Sequence, residues 1–330
     1  MNQFSYLRRR GLTLSIGVAL AGALGWLAPE TSNAQGSFPD KPLRIIVPFA
    51  AGGSDTLARA IAEKMSQQFK QQVLVENKPG GAAVIGAEYA AAQPADGYSI
   101  LFLGGGSLTP VLIKDLKFDL MKSMRPVISV ARGGMTFMVP GNLPVSTFRE
   151  FVDYARKNPG KLNYSYTAGS ILLSAEMLKV RAGFDAVAIP YKGSTQVATA
   201  LVANEIQMGI DVPLFYVGMI KEGRIKALAH GAPERSPSLP DVPTLAEAGV
   251  PDLVFAFSFG FWVPAATPDP IVARLNAALN EVLKEQDIRQ RLAQAGVVPV
   301  GGAPEVHSRQ VLAEQQMWAQ AARQVGFKPE

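Results

Sequence analysis

The stretch "RIIVPFAAGGSDTLARAIAEKM", residues 44–65, decides the fold. It starts as an apolar run of strand type, passes through two glycines and Ser-Asp-Thr, and continues with apolar residues at helical spacing. Leu57, Ile61 and Met65 lie four residues apart, so they share one face of a helix. A strand that enters a helix through a glycine turn is a common arrangement for holding an anion at the amides of the helix.

Strand and helix patterns alternate outward from this stretch. Strands are predicted in "QVLVEN", "YSILFL", "KLNYSYT", "AVAIPY" and "IQMGID", with helical segments between them. One helix, "VSTFREFVDYARK", carries Thr147 and Glu150 at capping-box spacing. The segments at 126–140 and 253–264 are predicted to be extended crossovers, and the C-terminal third is mostly helical. The alternation predicts an α/β protein with mainly parallel sheets flanked by helices.

The first 34 residues have the composition of a signal peptide. Arg8, Arg9 and Arg10 precede a short apolar run, and "SNA" ends at Ala34. This pattern predicts export to the periplasm with cleavage, and a retained membrane anchor is the alternative. The arginines followed by leucine also resemble a twin-arginine signal, so the Sec and Tat routes both stay open.

Composition excludes several classes of function. The formal charge of the chain is +5, and removal of residues 1–34 takes away three arginines and Glu30 and leaves +3. So small a surplus predicts no nucleic-acid surface. Cysteine is absent, which excludes disulfides, thiolate metal sites and cysteine nucleophiles. The two histidines are far apart and no H-E-x-x-H or G-x-S-x-G motif occurs, so we predict no catalytic residue, metal site or cofactor.

The loop after the first strand is the leading candidate binding site. Its glycines allow positive φ and a close ligand approach, and the helix that starts near Asp55 points its amides outward. The spacing is neither that of a Walker A loop nor that of a dinucleotide turn, so a modest anion such as a carboxylate fits best. Alternatively, Asp55 or Ser54 simply caps the helix. The candidate residues of this loop are Phe49, Ala50, Ala51, Gly52, Gly53 and Ser54.

Polar residues also follow other predicted strands. In an open parallel sheet the carboxyl ends of strands are where ligands collect, so these loops are expected to face one crevice. Lys192 has a surface lysine as its alternative interpretation, and Asp211 a cap or an interdomain hydrogen bond. The candidates are Ser107 and Thr109 in "GGGSLTP", Thr167, Gly169 and Ser170 in "NYSYTAGS", Lys192 in "IPYKGS" and Asp211 in "GID".

Four phenylalanines occur at alternate positions in "FAFSFGFW". Side chains alternate along a strand, so the four share one face and Ser258 points to the other. Such a face most often belongs to the core, and the alternative is an apolar wall of the ligand cleft. The phenylalanines are Phe255, Phe257, Phe259 and Phe261.

The chain resembles the Bug-type extracytoplasmic solute receptors of tripartite tricarboxylate transporters. The likeness is carried by "KPLRIIVPFAAGG", "VLVENKPGG", "ADGYSILF", "NPGKLNYS", "IPYKGS", "ERSPSLPDVPTLAEAGVP" and "VPAATPDPIVARLNAALN", in this order along nearly the whole mature chain. The resemblance implies a two-domain periplasmic binding protein that closes like a flytrap on a small organic carboxylate. The implied domains are residues 35–133 with 257–330, and residues 134–256, with the cleft between them.

The resemblance also implies partners and a mode of binding. The ligand would be held by backbone amides, hydroxyls and water, and the loops identified above match the cleft-lining positions of the family. The receptor would act as a monomer and deliver its ligand to permease subunits in the membrane, or present the closed form to a sensor kinase. An enzyme acting on a carboxylate and a ligand-free scaffold remain the alternatives.

This sequence departs from the family pattern in its loops. Only Ser54 separates Gly53 from Asp55, where the family usually has two residues. The "GGGSLTP" loop is short, Ile171 begins an apolar run in place of a glycine-rich stretch, and Ser258 replaces a frequent tryptophan. These departures favour a more apolar or aromatic carboxylate and leave its identity open.

Overall fold

The computed structural model describes residues 38–104, 108, 110–251 and 253–329. The predicted signal peptide and two candidate residues, Ser107 and Thr109, lie outside this part of the chain. Among the described residues, no helix combines the length and the apolar composition that a bilayer span requires.

The predicted strands and the two predicted extended segments occur in the predicted order, and two further strands, at 225–230 and 298–299, were not predicted. The described strands are β1 Leu43–Val47, β2 Val73–Asn77, β3 Ser99–Leu103, β4 Met124–Gly134, β5 Thr136–Pro140, β6 Asn163–Tyr166, β7 Val187–Pro190, β8 Met208–Asp211, β9 Ile225–His230, β10 Ala256–Pro264 and β11 Val298–Pro299. The helices are α1 Gly53–Phe69, α2 Val84–Ala91, α3 Leu120–Ser123, α4 Phe148–Lys157, α5 Gly169–Ala182, α6 Ser194–Val202, α7 Val217–Lys221, α8 Asp269–Lys284, α9 Gln286–Gln294 and α10 Pro304–Val325.

These strands form two sheets. The first has the order β11-β4-β10-β3-β1-β2, and the second has the order β7-β6-β8-β5-β9. Strand β1 runs parallel to β2 and β3, and β6 runs parallel to β7 and β8. The chain leaves the first sheet through β4, which is separated from β5 by Met135, and returns through β10.

Both sheets are mixed, whereas the sequence predicts mainly parallel ones. Strand β10 pairs antiparallel with β3 and β4, and β5 pairs antiparallel with β8 and β9. The reason is the double crossover: β4 carries the chain out of the first sheet and β10 brings it back beside β4, so the two must run in opposite directions. The predicted extended segments at 126–140 and 253–264 are therefore sheet strands that also connect the two sheets.

Local sequence patterns place the helices as expected. Leu57, Ile61 and Met65 are buried on one face of α1, which packs on β2, α8 and α9. The predicted capping box of α4 is present in part: Thr147 Oγ1 accepts a hydrogen bond from the Glu150 amide at 3.1 Å, whereas Glu150 Oε2 accepts one from the Ser146 amide, one residue before the N-cap, at 2.7 Å. The C-terminal helix α10 packs on β4 and β10 of the first sheet and on α5 beside the second.

Candidate functional site

A cavity of about 70 Å³ lies where loops from both sheets meet, a volume on the order of five ordered water molecules. It adjoins the carboxyl ends of β1, β3, β6 and β8, as the rule for open α/β sheets predicts. Its lining includes Phe49, Ala50, Ser54 and Gly104 from loops of the first sheet, and Thr167, Ala168, Ser170, Ile171, Gly193, Ser194, Asp211 and Val212 from the second. The crossovers and α10 add Met135, Ala256, Phe257, Ser258, Phe259, Glu314 and Trp318.

Three helices begin at this cavity. The N-caps of α1, α5 and α6 are Gly52, Ala168 and Gly193, and none of them has a side-chain capping bond among the described residues. The first amides of a helix have no partner within the helix, and the helix dipole places partial positive charge there. The alternative that Asp55 or Ser54 caps α1 is wrong, because the N-cap is Gly52 and no described side chain makes a capping bond to the helix; Asp55 pairs with Arg59 at 2.9 Å.

The loops that begin α1 and α6 contact each other directly. The Ala50 amide donates to the Lys192 carbonyl at 3.2 Å, and Thr195 Oγ1 donates to the Ala51 carbonyl at 2.5 Å. Gly52 has a φ of 166°, which is extended backbone, so the expected positive φ is not found. A Cβ at Gly52 would lie 3.4 Å from Ser194 Cβ, an ordinary van der Waals distance, so the two loops are close at this position without excluding a small side chain.

Asp211 closes one side of the cavity at the end of β8 and is 5% exposed. Its Oδ2 accepts from the Tyr216 hydroxyl at 2.7 Å, and its Oδ1 accepts from the Val212 amide at 2.7 Å. Burial raises the pKa of Asp211, while the hydrogen bonds from Tyr216 and Val212 oppose that rise. The same burial and the adjacent carboxylate raise the pKa of Tyr216 well above its usual value.

The structure brings together about half of the candidate residues. Those that line the cavity are Phe49, Ala50, Ser54, Thr167, Ser170 and Asp211. Gly169 packs against Leu112, where a Cβ would lie only 2.6 Å from Leu112 Cβ. Lys192 is exposed and lines a neighbouring cavity of about 500 Å³ that shares Phe49 and Thr167 with the first. Gly53 starts α1, and Ala51 contributes its carbonyl to the contact between the loops.

The aromatic strand β10 contributes to both the core and the cavity. Phe261 is fully buried and its ring centroid lies 4.8 Å from that of Phe102. Phe257 and Phe259 line the cavity, so the core interpretation and the cleft interpretation each hold for part of the strand. Register shifts after Phe259 and after Phe261 break the simple alternation. Ser258 also lines the cavity, where the sequence predicts it on the face opposite to the phenylalanines; it precedes both register shifts, so they do not account for its position.

Sequence reasoning misses the contribution of α10. Glu314 and Trp318 line the cavity from this helix, and Ser258 Oγ donates to Glu314 Oε1 at 2.6 Å. Glu314 and Trp318 lie one helical turn apart, so they share a face of α10. Nothing in the local sequence distinguishes that face from one that packs on the core. In the part of the chain that the structure describes, no group of three metal-ligating side chains occurs.

Known proteins match this chain along most of its length. The family model described as "Tripartite tricarboxylate transporter family receptor" matches residues 57–326. The UPF0065 protein in the tcbD-tcbE intergenic region of Pseudomonas sp. (strain P51) is 34% identical, over 94% of this chain and 92% of its own.

Solved structures match in fold as well as in sequence. The periplasmic binding protein BugD is 30% identical with a TM-score of 0.85, over 89% of this chain and 100% of BugD. R. palustris Rpa4515, solved with adipate, is 33% identical with a TM-score of 0.85, over 89% of this chain and 100% of its own.

Proposed function

Since the chain belongs to the receptor family of tripartite tricarboxylate transporters, we propose that it captures a small organic carboxylate and delivers it to the membrane permease of such a transporter. The resemblance to Bug-type receptors is confirmed by the match to BugD. The relative solved with adipate supports a carboxylate as the class of ligand.

The single observation that carries the proposal is the convergence of three helix N-termini on one cavity. Residues of the first turns of α1, α5 and α6, namely Ser54, Ser170 and Ser194, all line it. Each N-terminus carries about half a unit of positive charge, and neutral amides and hydroxyls can hold a carboxylate without a basic side chain. Such fixed dipoles hold the anion chemically unchanged.

Capture is proposed to couple the two sheets. The residues that line the cavity come from loops of both, so a ligand between them stabilises the arrangement in which the loops of α1 and α6 touch. The hinge is assigned to the crossovers, Met135 between β4 and β5 and the segment between β9 and β10. The proposed domains are residues 35–133 with 257–330, and residues 134–256.

The cellular location and the partner of the protein are proposed from the same family. The predicted signal peptide at residues 1–34 supports export to the periplasm, where a monomeric receptor meets its permease. The closed, loaded form is the one that the permease, or alternatively a sensor kinase, would recognise.

Thermal unfolding with a panel of carboxylates tests the proposal. A ligand present at a hundred times its Kd adds about 2.7 kcal/mol to the free energy of unfolding, which raises the Tm by several degrees. The matched control for each acid is its primary amide, which has the same body and no anionic charge. Recovery of the bound acid with its mass unchanged is expected. Equal shifts with acids and amides, or no shift with any acid, would contradict the proposal.

A further inference from the structure

A second cavity, of about 500 Å³, adjoins the first at the same edge of both sheets. Phe49 and Thr167 line both cavities, so the two meet at one residue from each sheet. Sites that enclose a small molecule typically measure about 300–1,000 Å³, and the first cavity, at about 70 Å³, is well below that range. The first cavity therefore has room for a carboxylate group and for little of the body attached to it.

Both sheets form the wall of the second cavity. The first sheet contributes the loops after β1, β2 and β3, and the second contributes the loops after β6 and β7 together with the start of α5. Much of this wall is apolar, which suits a hydrocarbon body because apolar area removed from water favours binding. The larger apolar residues of the wall are Pro48, Phe49, Leu112, Ile113, Leu172 and Pro190.

The turn between β2 and α2 takes an unusual conformation beside this cavity. Gly80 and Gly81 have φ of 126° and 56°, and Ala82 and Ala83 follow with φ of 50° and 79°. Two consecutive alanines in the left-handed region cost free energy, and strain of this kind is concentrated at segments that contact ligands. All four residues line the cavity, and none has a side chain beyond Cβ, so the turn leaves the volume open.

Lys192 gives the second cavity a positive charge, and it is the only charged side chain among the described residues that line it. Its backbone is held on both sides: the carbonyl accepts from the Ala50 amide at 3.2 Å, and the amide donates to Gln196 Oε1 at 3.0 Å. Its ammonium group forms no ion pair with any described acid. The lysine is therefore positioned at the contact between the loops and is available to an anionic group.

We propose that the ligand is an elongated carboxylate that occupies both cavities. Its first carboxylate lies at the helix N-termini, its apolar body passes between Phe49 and Thr167, and an anionic group at its remote end pairs with Lys192. Lys192 is thus a specificity-determining residue, and the second cavity selects for length. The inference rests on the proposed function and narrows its ligand to long dianions over short ones.

The test compares acids of different length and remote group by titration calorimetry. The dianions are succinate, adipate and suberate, which carry two, four and six methylenes, and octanoate matches suberate in length with a single carboxylate. Lys192→Gln removes the charge and keeps the backbone bonds, with Lys157→Gln, exposed on α4, as its control. Ile113→Trp fills part of the second cavity, with Val180→Trp, 60% exposed on α5 and outside both cavities, as its control.

Suberate is expected to bind at least about tenfold more tightly than succinate, because each methylene adds buried apolar area. Lys192 is exposed, so Lys192→Gln should weaken suberate by only about two- to fivefold and leave octanoate unchanged. Ile113→Trp should weaken suberate by about tenfold and leave succinate unchanged, and both control variants should bind every acid as the unmodified protein does.

Two results would overturn the inference while the receptor function stands. One is suberate binding no more tightly than succinate, and the other is Lys192→Gln weakening octanoate as much as suberate. If none of these acids binds and the wider panel of carboxylates also gives no shift in Tm, the proposed function fails and the inference fails with it.

Discussion

Burial of His307 predicts a stability that depends strongly on pH. His307 belongs to α10, and its imidazole ring packs against Trp262 with the ring centroids 4.7 Å apart. The residue is 0% exposed. Neither ring nitrogen has a hydrogen-bond partner among the described residues. Burial alone lowers the pKa of His307 to about 3, because a charged imidazolium could not be solvated there.

The sign and size of the effect follow from proton binding. As the pH falls below 6.5 the unfolded chain protonates His307, whereas the folded protein does so only when the pH approaches the folded-state pKa of about 3. Stability is therefore present above pH 6.5 and is lost progressively as the pH falls. For these two pKa values the loss between pH 7 and pH 5 is about 2 kcal/mol, a substantial part of a typical total of about 5–15 kcal/mol.

The assay is urea unfolding at pH 7 and pH 5, with the unmodified protein and His307→Gln compared at each pH. The variant removes the titrating group, so its loss of unfolding free energy between the two pH values should be smaller by about 2 kcal/mol. The absolute stability of the variant does not affect the test, because only the change in unfolding free energy between pH 7 and pH 5 is compared. Burial also lowers the pKa of His230, to about 4, but His230 is present in both proteins and cancels. Buffers must lack carboxylates, which the site would bind. Equal losses in the two proteins would refute the reasoning.

Two predictions concern the contact between the loops of α1 and α6. Gly193→Val should weaken binding of the tightest-binding carboxylate by about tenfold or more, because a Cβ at Gly193 would lie only 3.3 Å from Ala50 Cβ in the opposing loop. Gly218→Val is the control: an added Cβ there meets no described side chain within 4 Å, so the affinity measured by calorimetry should be unchanged. Thr195→Val removes the hydroxyl that donates to the Ala51 carbonyl and should weaken carboxylate binding about three- to tenfold. Thr199→Val on the same helix is the control and should leave the affinity unchanged. Equal affinities in these two variants would count against the loop contact.

The strand, turn and helix at residues 44–65 were predictable because their information is local. Apolar spacing identifies the buried face of α1, with Leu57 at 3% and Ile61 at 0% exposure. The capping box at Thr147 is local in the same way, since both partners lie within one turn. Prediction fails where pairing is set by distant parts of the chain. The antiparallel place of β10 beside β4 follows from the double crossover, and β9, "IKALAH", lacks the β-branched pattern that would identify a strand.

The candidate site was predictable to the extent that it lies at strand ends. Ser54, Thr167 and Asp211 were found because each follows or ends a strand, and the sheet topology gathers such positions. Glu314 was missed, because it lies within a long helix whose inward face has no distinguishing pattern. The positive φ expected at Gly52 is not found, and the tighter approach between the loops is at Gly193, which only the tertiary structure reveals. The roles of Ser107 and Thr109 stay predictions.

The opposed N-termini of α1 and α6 have a consequence for the empty receptor. Two N-termini of the same partial charge lie close together there, so their electrostatics oppose the contact that the hydrogen bonds between the loops already make. An anion between them acts as a counter-ion for both and turns repulsion into a bridge. On the proposed function, a bound anion would offset the repulsion between these like partial charges and so strengthen a contact that the loops already make.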